Sequence, residues 1–173
     1  MRAAISPPAS SVIRKPTLLA CGACAVALAL AASAGGGPAE TPSGPLELRL
    51  ELRDAAGQDA QRFAAGETVD LVLEVHNAGE APLALEFATA RTHDFAVLDS
   101  EGLEVWRWSH GRLFAQALAE IELAPGETRR FAASWDKRDA SGALARPGRY
   151  QVLGTLACSP SPPPAGPLDL QIE

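Results

Sequence analysis

The stretch "LELRLELR" (Leu46–Arg53) alternates leucine with a charged residue at every position. Successive side chains of a β-strand point to opposite faces, so this alternation predicts a strand with one buried face. The stretch "TVDLVLEVHN" (residues 68–77) repeats the period. Its alternating apolar residues are Val69, Leu71, Leu73 and Val75. Together the two stretches predict a domain whose core is built from strands.

Further short stretches show the same alternation and are separated by turns that contain Gly and Pro. They are "PLALEFA" (82–88), "HDFAVLD" (93–99), "LEVWRWS" (103–109), "LAEIELA" (118–124), "TRRFAASW" (128–135), "RYQVLGTLAC" (149–158) and "LDLQI" (168–172). No stretch shows sustained helical periodicity. About nine short strands with such turns predict an all-β fold, an immunoglobulin-like antiparallel β-sandwich.

The first 34 residues have the pattern of a targeting segment. Two basic residues, Arg14 and Lys15, precede a nearly uncharged run, Leu18–Ala34, which ends in the small residues Ala32–Ala34. This order predicts a signal peptide or membrane anchor over residues 1–34. We therefore expect a secreted protein or one of the periplasm or cell envelope.

Three fates of this segment remain open: cleavage after Ala34, an uncleaved anchor, and lipidation at Cys21 or Cys24. The Gly- and Pro-containing residues 35–45 predict a flexible linker. The β-sandwich domain is predicted over residues 46–173. Membrane contact is expected only through an uncleaved or lipidated N-terminus.

The net charge limits the classes of partner that the chain can bind, and the cysteine content limits the disulfides that it can form. The formal net charge is −6, and residues 1–34 hold three basic residues and no acid, so the predicted domain is more acidic than the whole chain. Such a body repels a phosphate backbone, which excludes nucleic acid as a partner. Cys158 is the one cysteine outside residues 1–34. We expect it to be a small buried hydrophobe in a monomeric protein without an intramolecular disulfide.

The predicted domain has no pattern typical of a catalytic, metal or cofactor site. It lacks an HExxH motif, a GxSxG elbow and a glycine-rich phosphate loop. Lys137 and Arg138 lie between two acids, Asp136 and Asp139, and this segment is interpreted as a solvated loop. We therefore expect no enzyme, no cofactor and no metal site. The histidines are His76, His93 and His110.

An ordered set of residues between Phe63 and Cys158 resembles one family. The set comprises Asn77, Phe87, "HDF" (93–95), "VWRWS" (105–109), Phe114, "PGE" (125–127), "WD" (135–136) and "PG" (147–148) before Tyr150. In this order the residues resemble the BsuPI-type intracellular proteinase inhibitor family. The resemblance implies an immunoglobulin-like β-sandwich and inhibition of an intracellular subtilisin-type serine proteinase. An exported chain would need a target other than that cytoplasmic one.

Two of the three tryptophans lie in a single predicted strand. Strict alternation places both on the face of Glu104 and leaves Arg107 on the other face. Trp106 is predicted to pack between the sheets as a large core residue. Trp108, at the end of the strand, is predicted to lie half exposed beside Arg107 or Arg112, where it could serve as an anchor for a partner.

The segment "SHGRLFAQA" (109–117) is the candidate contact loop. A proteinase inhibitor usually presents a pre-ordered extended loop, because rigidity reduces the entropy lost on docking. Leu113 and Phe114 are candidates to fill a substrate pocket. In the alternative, they plug the end of the sandwich, which is favoured for Phe114 because this residue belongs to the ordered set that resembles the family. The candidate partner-binding residues are Arg107, Trp108, His110, Arg112 and Leu113.

Two functions therefore remain open. The first is a protein-binding module that inhibits a proteinase, with a serine proteinase as partner, and that acts outside the cytoplasmic membrane. The second is a non-inhibitory module that mediates contacts in the cell envelope or acts there as a spacer. An exposed strand edge or apolar patch would mark the contact surface of the second.

Overall fold

Alternating apolar side chains organise the folded chain into strands. The structure, a computed structural model, describes residues 44–173, in which there are eleven strands and no helix. The strands are β1 (Leu46–Arg53), β2 (Arg62–Phe63), β3 (Val69–Asn77), β4 (Leu83–Phe87), β5 (His93–Leu98), β6 (Glu104–Arg107), β7 (Ala119–Leu123), β8 (Thr128–Trp135), β9 (Gly148–Leu156), β10 (Cys158–Ser159) and β11 (Ala165–Ile172). The predicted signal segment and most of the predicted linker lie outside the described residues.

The strands form three sheets, ordered β1-β3-β8, β2-β11-β9-β5-β6 and β10-β4-β7. The first two orders correspond to the A-B-E and G-F-C-C′ sheets of immunoglobulin-like domains. The predicted all-β sandwich is therefore confirmed. Two of the eleven strands, β2 and β10, have only two residues each and were not predicted. The short pairing of β2 with β11 is parallel, which departs from a purely antiparallel fold.

The core lies between the first two sheets. The four alternating residues of β3 that the sequence indicated, from Val69 to Val75, are fully buried, which confirms the predicted face of this strand. Opposite them, a Cβ placed on Gly154 of β9 would lie 3.1 Å from Leu73 and 3.3 Å from Leu50. The side chains of Leu73 and Leu50 thus pack directly against Gly154, and a larger residue at this position would require them to shift.

Three turns share one pattern, an aspartate followed three residues later by a glycine. In the β5–β6 turn, a carboxylate oxygen of Asp99 accepts hydrogen bonds from the backbone N–H groups two and four residues further along, each at 2.9 Å. Gly102 has a φ of 81° and donates its N–H to the Asp99 carbonyl, a conformation that glycine adopts without strain. The same hydrogen bonds occur in the turns that begin at Asp54 and Asp139.

The interpretation of residues 136–139 as a solvated loop is wrong for Lys137. This side chain is 3% exposed, and its Nζ donates to the carbonyl oxygen of Ala64 and lies 5.9 Å from the ring centre of Phe63. Burial lowers the pKa of Lys137, because removal from water disfavours the charged ammonium. The backbone of Lys137 has a φ of 59°, in the left-handed region that a residue other than glycine seldom adopts.

Two further sequence expectations concern polar or reactive groups. Cys158 is 7% exposed and burial raises the pKa of its thiol, which confirms the prediction of a small buried side chain. Glu51, which alternation placed on the outer face of β1, is buried instead and pairs with Arg53 at 2.6 Å.

Within residues 44–173 there is no helix with the length and apolar character needed to cross a membrane.

Candidate functional site

A β-bulge in β6 determines which side chains surround the loop that follows this strand. Glu104 and Trp106 pair with consecutive residues of β5, so Val105 is an extra residue in β6. An extra residue reverses the alternation of side chains. Glu104 and Arg107 consequently share a face, where the Arg107 Nε lies 3.0 Å from both carboxylate oxygens. The prediction that these two residues lie on opposite faces is wrong for this reason.

Trp106 lies on the core side of this bulge. It is half-buried, and its ring centre lies 6.1 Å from that of Trp135, which is fully buried on β8 in the facing sheet. The indole N–H of Trp135 donates to the carbonyl of Arg138 at 2.8 Å. The predicted position of Trp106 between the sheets is confirmed, and its contacts are structural.

The carboxylate of Asp94 fixes the start of the loop. Asp94 is 3% exposed, and its two oxygens accept hydrogen bonds from the backbone N–H of Ser109 at 3.1 Å and from the Ser109 hydroxyl at 2.6 Å. Arg107 and Arg91 reach the same carboxylate at 3.3 and 3.4 Å. A buried carboxylate is tolerated when it is paired and hydrogen-bonded in this way. Asp94 is thereby a positioning residue of the loop.

Four rings form an aromatic stack at the base of the loop. The ring of His93 lies between those of Phe131 and Trp108, with centre-to-centre distances of 5.0 and 4.4 Å. Trp108 in turn lies 5.6 Å from Phe114. We call Phe131, His93, Trp108 and Phe114 the aromatic stack. The aromatic stack connects the loop to β5 and to β8, which belong to the two facing sheets. The base of the loop therefore packs on aromatic rings of the domain.

Arg112 covers the outer side of Trp108. Its guanidinium carbon lies 4.7 Å from the centre of the indole ring, and its Nε donates to the Trp108 carbonyl at 2.8 Å. A guanidinium over an indole face is attracted by the ring quadrupole. Of the two arginines predicted beside Trp108, the structure places Arg112 there. Arg107 points instead to Glu104 and Asp94.

Leu113 and Phe114 have opposite environments. Phe114 is half-buried and packs on Trp108, and its predicted position as a plug of the sandwich end stays a prediction. Leu113 is fully exposed. The chain is held again at Ala115, whose carbonyl accepts the N–H of Ala90 at 3.0 Å. Leu113 is thus a free apolar side chain between anchored residues.

The remaining predicted contact residue, His110, is exposed in the turn at the start of the loop. Its backbone N–H donates to the Arg107 carbonyl at 3.1 Å. The five predicted residues therefore divide into three kinds. Trp108 and Arg112 form one packed pair, Arg107 supports the base, and His110 and Leu113 face solvent.

His93 is the titratable group of the aromatic stack. Burial lowers its pKa, and the nearby charge of Arg112 acts in the same direction, while the charge of Asp94 opposes them. One ring nitrogen lies 3.0 Å from the Thr92 hydroxyl, and the other, Nε2, is buried without a hydrogen-bond partner among the described residues. Residues 44–173 contain no group of three or more His, Cys, Asp or Glu side chains arranged to hold a metal ion.

Sequence reasoning did not predict the anchoring roles of three residues of this site. Asp94 and Ser109 act together although 15 residues separate them, and Phe131 comes from the facing sheet. The sequence did contain one signal: an acidic residue between two aromatic rings in "HDF", in an otherwise apolar strand pattern, indicates a buried partner. The identity of that partner depended on the bulge, which the sequence pattern did not reveal.

A match to one protein-family model shows the family to which the chain belongs. Residues 54–161 match the model described as BsuPI, intracellular proteinase inhibitor. The chain belongs to the BsuPI family. The matched residues include β5, β6, the loop and the anchors of that loop.

The description of the BsuPI family corrects the predicted location. The family is described as intracellular, so the prediction of a secreted, periplasmic or envelope protein is wrong. That prediction was based only on residues 1–34, where alanine-rich apolar sequence satisfies the signal pattern through composition. The objection that a cytoplasmic proteinase cannot be the partner no longer applies.

No curated protein matches this BsuPI-family chain. Three solved structures to which the chain is similar share little sequence with it. The C-terminal domain of wzt has 16% identity and a TM-score of 0.47, over 76% of this chain and 75% of that one. The alkylpurine DNA glycosylase AlkC of Pseudomonas fluorescens, bound to DNA with an abasic site analog, has 15% identity and a TM-score of 0.44, over 75% and 31%. A β-glucosidase of Listeria innocua in complex with glucose has 10% identity and a TM-score of 0.40, over 75% and 16%.

Two of the residues that carried the resemblance to the BsuPI family, Asn77 and Tyr150, have structural roles outside the loop. Asn77 is fully buried, and its side-chain amide donates to the carbonyls of Ala81, Leu123 and Ala124. These bonds join the end of β3 to the "PGE" turn that precedes β8. Tyr150 donates its hydroxyl to the Arg146 carbonyl at 2.7 Å, which is the tyrosine corner of immunoglobulin-like folds.

Proposed function

We propose that this BsuPI-family chain inhibits a serine proteinase by placing residues 109–117 in its substrate cleft, with Leu113 as the side chain that enters a pocket. Membership of the family supports a proteinase as the partner. We choose Leu113 because its side chain is fully exposed while its neighbours in the loop are anchored to the domain.

The anchors are what make this loop suitable for inhibition. Docking a free loop costs conformational entropy for each side chain and backbone bond that becomes fixed. Here Ser109 is held by Asp94, Arg112 is held by Trp108, and Ala115 is held by Ala90. Most of that entropy is lost on folding, so the contact energy of Leu113 contributes to affinity rather than to ordering the loop.

The proposal assigns separate roles to the other candidate residues. Trp108 and Arg112 would form the rim beside the pocket, where large aromatic and arginine side chains contribute most to binding. His110, which is exposed in the adjoining turn, would contact the outer part of the cleft. Arg107 would act indirectly, because its guanidinium is bound to Asp94 and Glu104.

We expect the chain to act as an inhibitor and to catalyse no reaction itself. It acts as a monomer, with one copy bound to one proteinase molecule. Inhibition should therefore titrate to a stoichiometry of one to one.

The experiment is an inhibition assay of the purified full chain against a subtilisin-type serine proteinase. Leu113→Asp should weaken inhibition about 100-fold, since a charge cannot enter an apolar pocket without losing its hydration. Leu103→Asp is the matched control, because Leu103 is also an exposed leucine but lies in the turn at the opposite end of β6. This control should inhibit as the unmodified protein does.

Two results would contradict the proposal. One is an equal loss of inhibition in both variants, which would show that Leu113 has no special role. The other is the absence of inhibition by the unmodified protein at micromolar concentration, which would favour a protein-binding module without inhibitory activity.

A further inference from the structure

We propose that the peptide bond between Leu113 and Phe114 is the bond offered to the proteinase nucleophile, and that Trp108 clamps both sides of this bond so that the cut chain stays in place and can be rejoined. This inference rests on the proposed function and adds the position of the reacting bond, the specificity of the partner and the fate of the cut inhibitor.

The geometry around Trp108 is two-sided. Arg112, on the N-terminal side of Leu113, lies over the indole ring and also donates to the Trp108 carbonyl. Phe114, on the C-terminal side, packs on the same indole with ring centres 5.6 Å apart. One tryptophan therefore holds both neighbours of Leu113, while the Leu113 side chain projects fully into solvent.

A second contact secures the C-terminal side. The carbonyl of Ala115 accepts the N–H of Ala90, which precedes β5. The N-terminal side is secured by Ser109, whose N–H and hydroxyl bind the buried Asp94. Both ends that a cut after Leu113 would create are thus attached to the β5 region of the domain independently of the bond itself.

The chemical step is acyl transfer to the proteinase. The serine hydroxyl oxygen of the proteinase attacks the carbonyl carbon of Leu113, the bond to the Phe114 nitrogen breaks, and the hydroxyl proton passes to that nitrogen. Water can then release Leu113 as a carboxylate. In the reverse direction the Phe114 amine attacks the acyl carbon, and the serine leaves with the proton, so the original bond is restored.

Whether the cut bond is rejoined or hydrolysed depends on whether the new amine of Phe114 stays close to the acyl carbon of Leu113. A cut in an unattached loop lets the ends separate, and hydrolysis then goes to completion. When Phe114 and Ala115 remain attached to the domain, the amine stays near the acyl carbon at a high effective concentration, and rejoining competes with water. The cut and intact forms should therefore reach a stable ratio in the presence of the proteinase.

The same clamp predicts which proteinases are inhibited. Leu113 suits a specificity pocket that accepts large aliphatic side chains. Arg112 is the only lysine or arginine in the 109–117 loop, and its guanidinium is packed on Trp108. A proteinase that cleaves after basic residues would have to detach Arg112 from the indole. It should therefore be inhibited at least about tenfold less well, since the stacking and hydrogen bond would be lost.

The experiment follows the full chain with a catalytic amount of a subtilisin-type proteinase by mass spectrometry of the denatured protein. We expect one cut, between Leu113 and Phe114, and a plateau in the ratio of intact to cut chain. The same plateau should be reached from purified cut protein. Trp108→Ala should lower this ratio at least tenfold, and Trp108→Phe should keep most of it.

Two milder variants cover the case in which Trp108→Ala does not fold. Arg112→Ala and Phe114→Ala each remove one side of the clamp, and each should shift the ratio toward the cut form. Leu103→Asp, which lies outside the loop, is the control and should keep the plateau of the unmodified chain.

The outcomes separate this inference from the function on which it rests. Three results would overturn the clamp and leave the inhibitory function standing. The unmodified chain could inhibit while it is cut at another bond, or while it is not cut at all. Alternatively, the clamp variants could reach the same ratio of intact to cut chain as the unmodified protein. If the unmodified chain does not inhibit at all, both the proposed function and the clamp are overturned.

Discussion

Asp94 binds Ser109 twice, through its backbone N–H at 3.1 Å and its hydroxyl at 2.6 Å, although the two residues are 15 positions apart in the chain. This double contact fastens the start of an exposed loop to a core strand. The same loop carries the one fully exposed leucine that lies between anchored residues. Rigidity at the base and exposure at the tip are the combination that binding to a proteinase cleft favours.

The first prediction concerns Asp94. Asp94→Asn keeps the shape of the side chain but removes the charge that binds Ser109, Arg107 and Arg91. We expect a loss of about 2 kcal/mol in the free energy of unfolding, the range of hydrogen bonds to a charged group whose arginine partners are partly solvated. Inhibition should fall about tenfold because the loop is less ordered.

Urea unfolding and the inhibition assay measure the two effects. Glu104→Gln is the control, since Glu104 binds Arg107 but not Ser109. An Asp94→Asn protein that inhibits as strongly as the unmodified one would show that this anchor does not order the loop.

The second prediction concerns Asn77. Its amide donates to three carbonyls in a fully buried position, so Asn77→Ala should cost about 3 kcal/mol by removing these hydrogen bonds. Asn77→Asp should cost more, because it places a carboxylate against the same carbonyls. Chemical denaturation compares the two variants. Equal stability of Asn77→Asp and the unmodified protein would contradict the assigned role of the amide.

The third prediction is a pH dependence caused by His93. Its pKa in the folded protein lies below the ordinary value of 6.5, mainly because of burial. As the pH falls through about 6.5, the unfolded chain takes up a proton that the folded chain does not, so the free energy of unfolding decreases. The decrease ends once the pH is below the pKa of the folded state.

The measurement is the urea midpoint at pH 7.5 and pH 5.5. His93→Phe keeps a ring between Trp108 and Phe131 and should lose less stability over this interval than the unmodified protein. His110→Gln, which removes an exposed imidazole from the same loop, is the control. An identical pH dependence in His93→Phe would contradict the assignment to His93.

The fourth prediction concerns Cys158. Burial raises the pKa of its thiol and limits access, so little thiolate is present at pH 8. Iodoacetamide should alkylate the peptide that contains Cys158 at least tenfold more slowly in the native protein than in urea. Peptide mass spectrometry measures both rates. Equal rates would show that this thiol is open to solvent.

The sequence was sufficient to predict the fold because the strand period survives in the strands that form the core. The face of β3 from Val69 to Val75 follows from alternation alone, whereas the position of Trp106 between the sheets was predicted from its large aromatic side chain. Alternation failed at the extra residue Val105, which reversed the faces of Glu104 and Arg107. The interpretation of residues 136–139 as a solvated loop, which rested on the flanking acids, failed at Lys137, whose burial depends on Phe63 and Ala64 far away in the chain.

The candidate site was only partly visible in the sequence. The loop could be located from its position after the tryptophan-containing strand. The family resemblance already favoured a packed position for Phe114, but the ring of Trp108 on which Phe114 packs could not be predicted from the sequence. The anchors Asp94 and Phe131 come from two facing sheets, and local patterns carry no information on such long-range contacts.

The central claim is that Leu113 enters the specificity pocket of a serine proteinase. The most direct measurement is a crystal structure of the full chain bound to a subtilisin-type proteinase. We expect the Leu113 side chain in the pocket, its carbonyl carbon about 3 Å from the nucleophile, and Arg112 and Phe114 still packed on Trp108. A complex in which the proteinase contacts another surface, such as the apolar groove lined by Pro45, Leu85 and Pro160, and leaves Leu113 in solvent would contradict this claim.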